Sequence, residues 1–391
     1  MKILISTFTF WPQSNGVANC AYMQALAFVK SGHDVTVVTS GENREDFHEG
    51  IHIVRLPLSG NRRLLDSVAG KENYEQFLLN NSFDVIFFHC WQAWPVDGAI
   101  EVLHRLPAKK VLVSHGISTN TAFDFRSFIA KIRWQYYQKA LVPVIFKHLD
   151  HIVFLEDYTD GDRFLDRELK DKYFPGLAAS IIPNGGHIYQ NGNVNSFRQQ
   201  HEIPKDDFML LVVGNYSRLK NEQAALEILR KLNREDVSLV VIGAKRNDYK
   251  DELLKLCENY PLGLQKKIYL LDSLTKEEIG DAYLNASLLL NVSRTEAQPL
   301  VILDAIANGV PFVSINRGSI SKIPGGETCD NYGEMPTVIN RLINHKLELE
   351  KLAVEGLAAS LSKYNWTVYA QRYVNLVQQL ENSSKDNKYE Q

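Results

Sequence analysis

Phe208-Met-Leu-Leu-Val-Val213, running into Gly214-Asn-Tyr-Ser-Arg218-Leu-Lys220-Asn221, is an apolar run that stops at a glycine and gives way to a polar loop carrying two cations. Six consecutive apolar residues fit a strand covered on both faces, the condition of a parallel sheet sandwiched by helices. Comparable runs recur at 237–242, 267–271, 287–291 and 311–315, interleaved with helical segments. An earlier series lies at 2–7, 34–39, 51–56, 84–88, 110–114 and 151–155, with helical periodicity between its members, as in 17–31 and 126–147. Strand–helix alternation of this kind predicts an α/β protein built from two Rossmann-like domains with parallel sheets, the first over 1–186 and the second over 205–365. The stretch 187–204, with Gln190-Asn-Gly-Asn-Val-Asn-Ser196, lacks periodicity and is rich in turn formers, so it is expected to be a linker. From Trp366 to Leu380 the pattern is amphipathic, and the polar residues from Glu381 onward are expected to fray.

Composition narrows the functional classes. The chain has 391 residues, enough for two domains of ordinary size, and its 43 Lys+Arg against 46 Asp+Glu give a net charge of -3. That balance makes no electrostatic case for nucleic acid. Cys20, Cys90, Cys257 and Cys329 are far apart and form no CxxC or Cys/His cluster, which predicts reduced thiols, a cytoplasmic location and no metal site. Met1-Lys-Ile-Leu-Ile-Ser-Thr has too short an apolar run for a signal peptide or membrane span and reads as the first buried strand. No G-x-G-x-x-G follows that strand and no G-x4-G-K-[ST] occurs, which argues against a dinucleotide dehydrogenase and a P-loop nucleotidase.

The chemistry concentrates in Arg294-Thr-Glu-Ala-Gln-Pro-Leu-Val-Ile-Leu-Asp304 and the following Ala305-Ile-Ala-Asn-Gly-Val-Pro311. Pro299 suits a first helical position and Gly309 with Pro311 close the element, so a helix is predicted near 299–308. The free N–H groups of Leu300 and Val301, at the positive end of the helix dipole, offer a phosphate site. Eight residues of helix span about 12 Å, so Glu296 and Asp304 can accept hydroxyls on either side of a central phosphate. A nucleotide diphosphate sugar fits, with Glu296 at the sugar and Asp304 at the ribose. Arg218 and Lys220, in a strand-to-helix loop at the carboxyl edge of the sheet, could neutralise the two phosphates without a divalent ion. In the first domain, Asn15-Gly16 allows close backbone approach to a phosphate. His115, in Ser114-His115-Gly116, and His89, in Phe88-His89-Cys90-Trp91, stand at strand ends. His89 is read as an acceptor-side residue, since Trp91 and Trp94 could stack on sugar rings.

These residues carry a resemblance. The acidic-x7-acidic spacing of Glu296 and Asp304 resembles the motif of retaining family 4 glycosyltransferases, which transfer sugars to bacterial-type glycan or lipid-linked glycan acceptors and adopt the GT-B architecture. Asp304 replaces the commoner Glu, and Gln298-Pro299 replaces Phe-Gly. The 214–221 loop is similar to the family's Gly-Arg-x5-Lys-Gly loop, with Asn215 at the usual Arg position, Asn221 for the final Gly and Arg218 as a substitute cation. Ser31-Gly-His33, His115 and Ile182-Pro-Asn-Gly185 follow in the family's order. The resemblance implies two domains facing across a cleft, a C-terminal helix (366–391) crossing back to the first domain, and His115 at the donor sugar. It implies transfer with retention. No side chain is an evident nucleophile, so a front-face route is expected in which the leaving phosphate helps deprotonate the acceptor, with Arg218 and Lys220 in place of a metal and without a cofactor. A nucleotide-sugar epimerase of the same architecture and a catalytically silent partner subunit remain as alternatives.

One further segment bears on partners. Residues 125–149 hold Arg126, Lys131, Arg133, Lys139 and Lys147 without an acid, interleaved with Phe125, Phe128, Trp134, Tyr136, Tyr137 and Phe146. Such a helix either covers the core with a solvated basic face or lies on an anionic membrane surface, at the inner face, where a lipid-linked acceptor would be met.

Overall fold

The computed structural model describes residues 1–13, 15–61, 67–117, 125–159, 163–189 and 194–389, apart from the side chains of 125–127, 130, 194–196 and 383–389. Two compact units result: Met1–Asn184 with Thr367–Gln391, and Gly185–Trp366.

In the first unit the strands are β1 (Lys2–Ser6), β2 (Asp34–Ser40), β3 (Arg44–His48), β4 (Ile51–Leu56), β5 (Val85–His89), β6 (Lys109–Val113), β7 (His151–Phe154) and β8 (Ala178–Ile181). They form one sheet in the order β3-β4-β2-β1-β5-β6-β7-β8. Every pairing is parallel except β3 with β4. The second unit contains β9 (Phe208–Val213), β10 (Val237–Gly243), β11 (Ile268–Asp272), β12 (Leu288–Asn291), β13 (Phe312–Ile315) and β14 (Gly326–Cys329). Its all-parallel order is β11-β10-β9-β12-β13-β14. Numbered within the unit this is 3-2-1-4-5-6, the dinucleotide-fold order. The first unit repeats it with one extra strand at each edge.

Burial explains the apolar runs. Along β9, Leu210 and Val212 enter one hydrophobic cluster and Met209 and Leu211 another on the opposite face. Alternate side chains of one strand therefore serve two helix layers, and no position is left for a polar residue.

Strands β3, β8 and β14 escape the sequence pattern. Arg44-Glu-Asp-Phe-His48 is a charged edge strand, and such charge discourages pairing with another chain. Ala178–Ile181 and Gly326–Cys329 are four-residue edge strands too small to show a periodicity. The helical pattern over 126–147 is two helices, Phe125–Ala140 and Val142–His148, because Pro143 lies in the first turn of the second.

Residues 190–193 of the expected linker lie outside the described residues, and the described parts, 187–189 and 194–204, are not a free linker. Val194–Gln200 is helical, and Phe197 is fully buried in the second unit's core. The chain crosses between units at Asn184 and Gly185 instead. There Gly186 donates its N–H to Tyr364 O at 2.9 Å. Asp304 Oδ1 accepts from His187 N (2.7 Å), and Asn308 one turn on accepts from Tyr189 N (2.9 Å) and donates to His187 O (2.8 Å). The last helix, Trp366–Tyr389, packs in the first unit, where Tyr369 OH donates to Cys20 O at 3.0 Å and Tyr373 meets Phe28 and Phe87 edge-on.

A Cβ built on Gly186 would sit 2.2 Å from Leu303 O, a backbone atom that cannot step aside. Gly186→Ala should therefore cost the second unit roughly 1–3 kcal/mol, as overpacking does, visible as an earlier urea midpoint. An unchanged midpoint would show that the 185–189 segment yields more readily than its hydrogen bonds suggest.

Candidate functional site

In the second unit the strand order reverses between β9 and β12, which leaves a crevice at their carboxyl ends. The loop after β9 is held there by Tyr216, buried with its hydroxyl 2.8 Å from Leu271 O and 3.1 Å from Val241 O. The ring occupies the space above Gly243, where a Cβ would approach within 2.1 Å. Asn221 takes a left-handed conformation (φ 59°) to turn the loop into the helix Glu222–Leu232. A short polar side chain tolerates this region, and glycine would be its natural alternative. Two contacts stitch this loop to the one after β12. Arg294 N donates to Leu219 O at 2.8 Å, and Asn221 Nδ2 to Val292 O at 3.4 Å.

The stitching brings the two sequence-predicted charges together. Lys220 Nζ donates to Glu296 Oε1 at 2.6 Å, with Glu296 only 9% exposed. Gly318 (φ 53°) passes so close to Glu296 O that a Cβ would lie 2.2 Å away, so the carboxylate's backbone is fixed from behind. Glu296 precedes the helix Leu300–Ala307, which is shorter at each end than the expected 299–308. Pro299 is its N-cap, not its first turn, because ψ of 120° is extended. Leu300 and Val301 are half-buried and occupy the first two helical positions, whose N–H groups have no partner within a helix.

Two predicted residues are engaged elsewhere. The exposed Arg218 places its Nη2 3.0 and 2.7 Å from the two oxygens of Glu252 and lies over the Tyr249 ring, so it does not join Lys220 on Glu296. Asp304, besides its bond to His187 N, has Oδ1 3.3 Å from His187 Nδ1. One carboxylate oxygen thus anchors the 185–189 segment. Sequence reading also missed Glu222, fully buried behind the loop, where it accepts from Ser217 N at 3.4 Å. Burial pushes its carboxyl up to about 7.

In the first unit Asn15 caps the helix Gly16–Lys30 by accepting from Ala18 N at 3.0 Å, and its amide donates to Thr9 Oγ1 at 2.8 Å. Gly16 is exposed at the helix start, with its own N–H and that of Val17 in the positions no helix satisfies. His115 follows β6, and its Nε2 lies 3.0 Å from Nδ1 of His89, the last residue of β5. His89 Nε2 lies 2.7 Å from Gln24 Oε1. Burial lowers both imidazoles, His115 to about 4 and His89 well below its ordinary range, so both are neutral at neutral pH.

The acceptor-side reading of His89 fails on burial, for the ring is 0% exposed. Trp91 and Trp94 are core residues as well. Trp91 Nε1 donates to Asp166 at 2.6 Å and Trp94 Nε1 to Ser40 Oγ at 2.8 Å, with Phe146 and Tyr74 against their rings. Neither offers a face to a sugar.

The helix Phe125–Ala140 is two-sided. Tyr137 is fully buried with its hydroxyl on Asp97, whereas Phe128 (53% exposed), Ile129, Ile132 and Tyr136 face outward. Lys139 is exposed and Lys131 and Arg133 are half-exposed on the same helix; the side chain of Arg126 lies outside the described residues. No described helix is long and apolar enough to cross a membrane. Among the described residues no His, Cys, Asp and Glu cluster could hold a metal ion.

The profile described as Glycosyltransferase Family 4 matches residues 14–185, and that of Glycosyl transferases group 1 matches 193–327. The chain belongs to the glycosyltransferases. An uncharacterised glycosyltransferase of Methanocaldococcus jannaschii is 23% identical over 96% of this chain and 97% of its own length. Alpha-monoglucosyldiacylglycerol synthase of Streptococcus pneumoniae is 23% identical over 80% and 71% respectively. Among solved structures, sucrose-phosphate synthase of Thermosynechococcus elongatus superposes with a TM-score of 0.76 at 15% identity, over 98% of this chain and 99% of that one. Anabaena HepE, in complex with UDP and glucose, superposes at 0.75 and 15% identity, over 97% and 100%. The glycosyltransferase's two Rossmann-like units are thus those of GT-B enzymes.

His115 and His151 fall from an ordinary 6.5 to about 4 on burial, and burial also lowers His89 well below its ordinary range. At these rings the unfolded chain therefore binds more protons than the folded one below the ordinary imidazole value, which makes stability rise with pH, and the buried carboxyls of Glu222 and Asp166, raised to about 7 and about 6, offset only part of it. The urea midpoint of the enzyme should drop steadily as pH is lowered from 7 toward 4.5. His151→Phe should flatten part of that slope. A profile level down to pH 4.5 would mean that these rings are protonated in the folded state.

Proposed function

We propose that this glycosyltransferase moves a sugar from a nucleotide diphosphate donor to a hydroxyl of a glycan or lipid-linked acceptor, with retention at the anomeric carbon. The observation that carries this reading is the Lys220–Glu296 pair at the helix start, at the strand-order reversal of the second unit. The N–H groups of Leu300 and Val301 receive phosphate oxygens, and Lys220 adds a point charge beside them. Arg218 joins them from its contact with Glu252. An exposed pair of that kind is worth about 0–1 kcal/mol, so a diphosphate can draw the guanidinium away. Glu296 takes sugar hydroxyls, and the second oxygen of Asp304 takes the ribose. Gly16 and His115 supply the first unit's contacts to phosphate and sugar.

In the transfer step the anomeric C–O bond to the diphosphate breaks with both electrons leaving on the phosphate oxygen. The acceptor oxygen attacks the same face and gives its proton to that oxygen. Charge grows on the leaving group, where Lys220, Arg218 and the helix dipole stabilise it more than in the bound donor. These cations take the place of a divalent ion, so turnover should survive EDTA.

The UDP and glucose bound to Anabaena HepE support a nucleotide-sugar donor. The pneumococcal synthase, whose name specifies a diacylglycerol glycolipid, supports a lipid acceptor. The exposed Phe128, Ile129, Ile132 and Tyr136, with Lys131, Arg133 and Lys139 on the same helix, suit the surface of an anionic bilayer where such an acceptor resides.

A thermal-shift panel of UDP-, GDP- and ADP-sugars tests the donor. A ligand at a hundred times its dissociation constant adds about 2.7 kcal/mol, and a flat panel would sink the reading. Glu296→Gln should lower kcat by about a hundredfold or more with nucleotide affinity nearly intact, whereas Asp304→Asn should weaken nucleotide binding by calorimetry. Collapse of nucleotide affinity in Glu296→Gln with normal turnover would reverse the two assignments. For the membrane contact, the enzyme should co-sediment with vesicles containing phosphatidylglycerol and be released by salt, and Phe128→Ser with Ile132→Ser should abolish this. Equal binding by the double variant would place the contact elsewhere.

A further inference from the structure

Gln24 is a polar residue set among Ala21, Ala25 and Phe28 on the buried face of the helix Gly16–Lys30, itself 0% exposed. A buried amide is costly unless it is bonded. Here its oxygen meets His89 Nε2 at 2.7 Å, while its nitrogen has no partner among the described residues. The contact continues outward, for His89 Nδ1 meets His115 Nε2 at 3.0 Å. Three side chains thus form one file from the helix to the half-buried ring at the end of β6.

A neutral imidazole has one N–H and one lone pair, so the file has a direction. With the Gln24 carbonyl facing His89, the His89 proton sits on Nε2 and its Nδ1 is an acceptor. His115 must then donate from Nε2, which leaves Nδ1 bare. Both rings carry the proton on Nε2, the form that free neutral histidine prefers. Turning the amide over would reverse every bond and put a proton on His115 Nδ1.

We infer that Gln24 is a positioning residue which, through His89, fixes the tautomer of His115 so that Nδ1 is offered as a hydrogen-bond acceptor. Resting on the reading that His115 faces the donor sugar, this assigns the group it selects: one with a proton to give, a sugar hydroxyl or an amide N–H. A phosphate oxygen or a ring oxygen would be repelled by the lone pair. Neutrality of both rings at neutral pH, already derived from their burial, is the condition under which such a file has a single direction.

The test is nitrogen NMR on the full chain labelled with 15N-histidine, where long-range proton–nitrogen correlations report which ring nitrogen is protonated and His115→Gln identifies the signals. In the unaltered enzyme His115 should carry its proton on Nε2. Gln24→Leu removes the acceptor, so His89 should move its proton to Nδ1 and drive the His115 proton to its own Nδ1. Gln24→Glu keeps an acceptor and should keep the original tautomer. Gln24→Leu should also lower kcat by roughly ten- to a hundredfold, the scale for removing the outer partner of a working histidine, with donor KM little changed and Gln24→Glu partly restored. A His115 proton on Nδ1 in the unaltered enzyme would overturn the inference. So would an unmoved tautomer in Gln24→Leu, or in Gln24→Met if circular dichroism shows that Gln24→Leu fails to fold. These spectra need no turnover, so they stand apart from the donor panel. A flat panel with the expected tautomers would remove the sugar assignment and leave the file.

Discussion

In a parallel sheet the connecting helices must cover both faces, and at the one place where the order of connection reverses, two adjacent loops diverge and nothing fills the gap. In the second unit that place is between β9 and β12. Lys220 arrives on one loop and Glu296 on the other. The largely buried Glu296 carboxylate would be costly alone, so it needs the half-buried Lys220 beside it, and the contacts Arg294–Leu219 and Asn221–Val292 hold the loops at the separation this pairing requires. The rest follows from that separation. Tyr216 and Gly243 set the height of the first loop, and Gly318 sets the path of the second.

The first unit meets the same geometry with different chemistry. Its loop after β1 carries no cation, and the residues at the ends of β5 and β6 are uncharged imidazoles. Charge is thereby concentrated in the unit that contains the helix start flanked by Glu296 and Lys220, while the other unit presents hydrogen-bonding groups whose polarity is set by neighbours in the core. A neutral ring can accept a hydrogen bond from a donor, which a cation cannot.

What the chain revealed in advance depended on distance along it. The interior strands were legible because both faces are buried, so that Phe208–Val213 has no polar position to disguise it. The edge strands were not. Arg44–His48 reads as a charged loop, and Gly326–Cys329 is too short to announce itself. Glu296 and Lys220 were legible singly, from their places after strands. Arg218 was not, because its partner Glu252 lies 34 residues away on another helix and leaves no trace in the loop's own sequence. Gln24 reads as one polar residue in an alanine-rich helix. His187 and Asn308 are equally silent, since an interaction across more than a hundred residues has no local signature.

The second unit is one uninterrupted segment, Gly185–Trp366, between two portions of the first. Its beginning and end lie side by side, with Gly186 hydrogen-bonded to Tyr364 and bridged to Asn365. A segment whose ends touch can be removed from its host, or replaced by another, without stretching the chain on either side. The half of the enzyme proposed to recognise the donor is therefore a cassette. Exchange of that cassette between related enzymes would change the groups proposed to hold the nucleotide while leaving the host sheet, its C-terminal helix and its histidine file untouched.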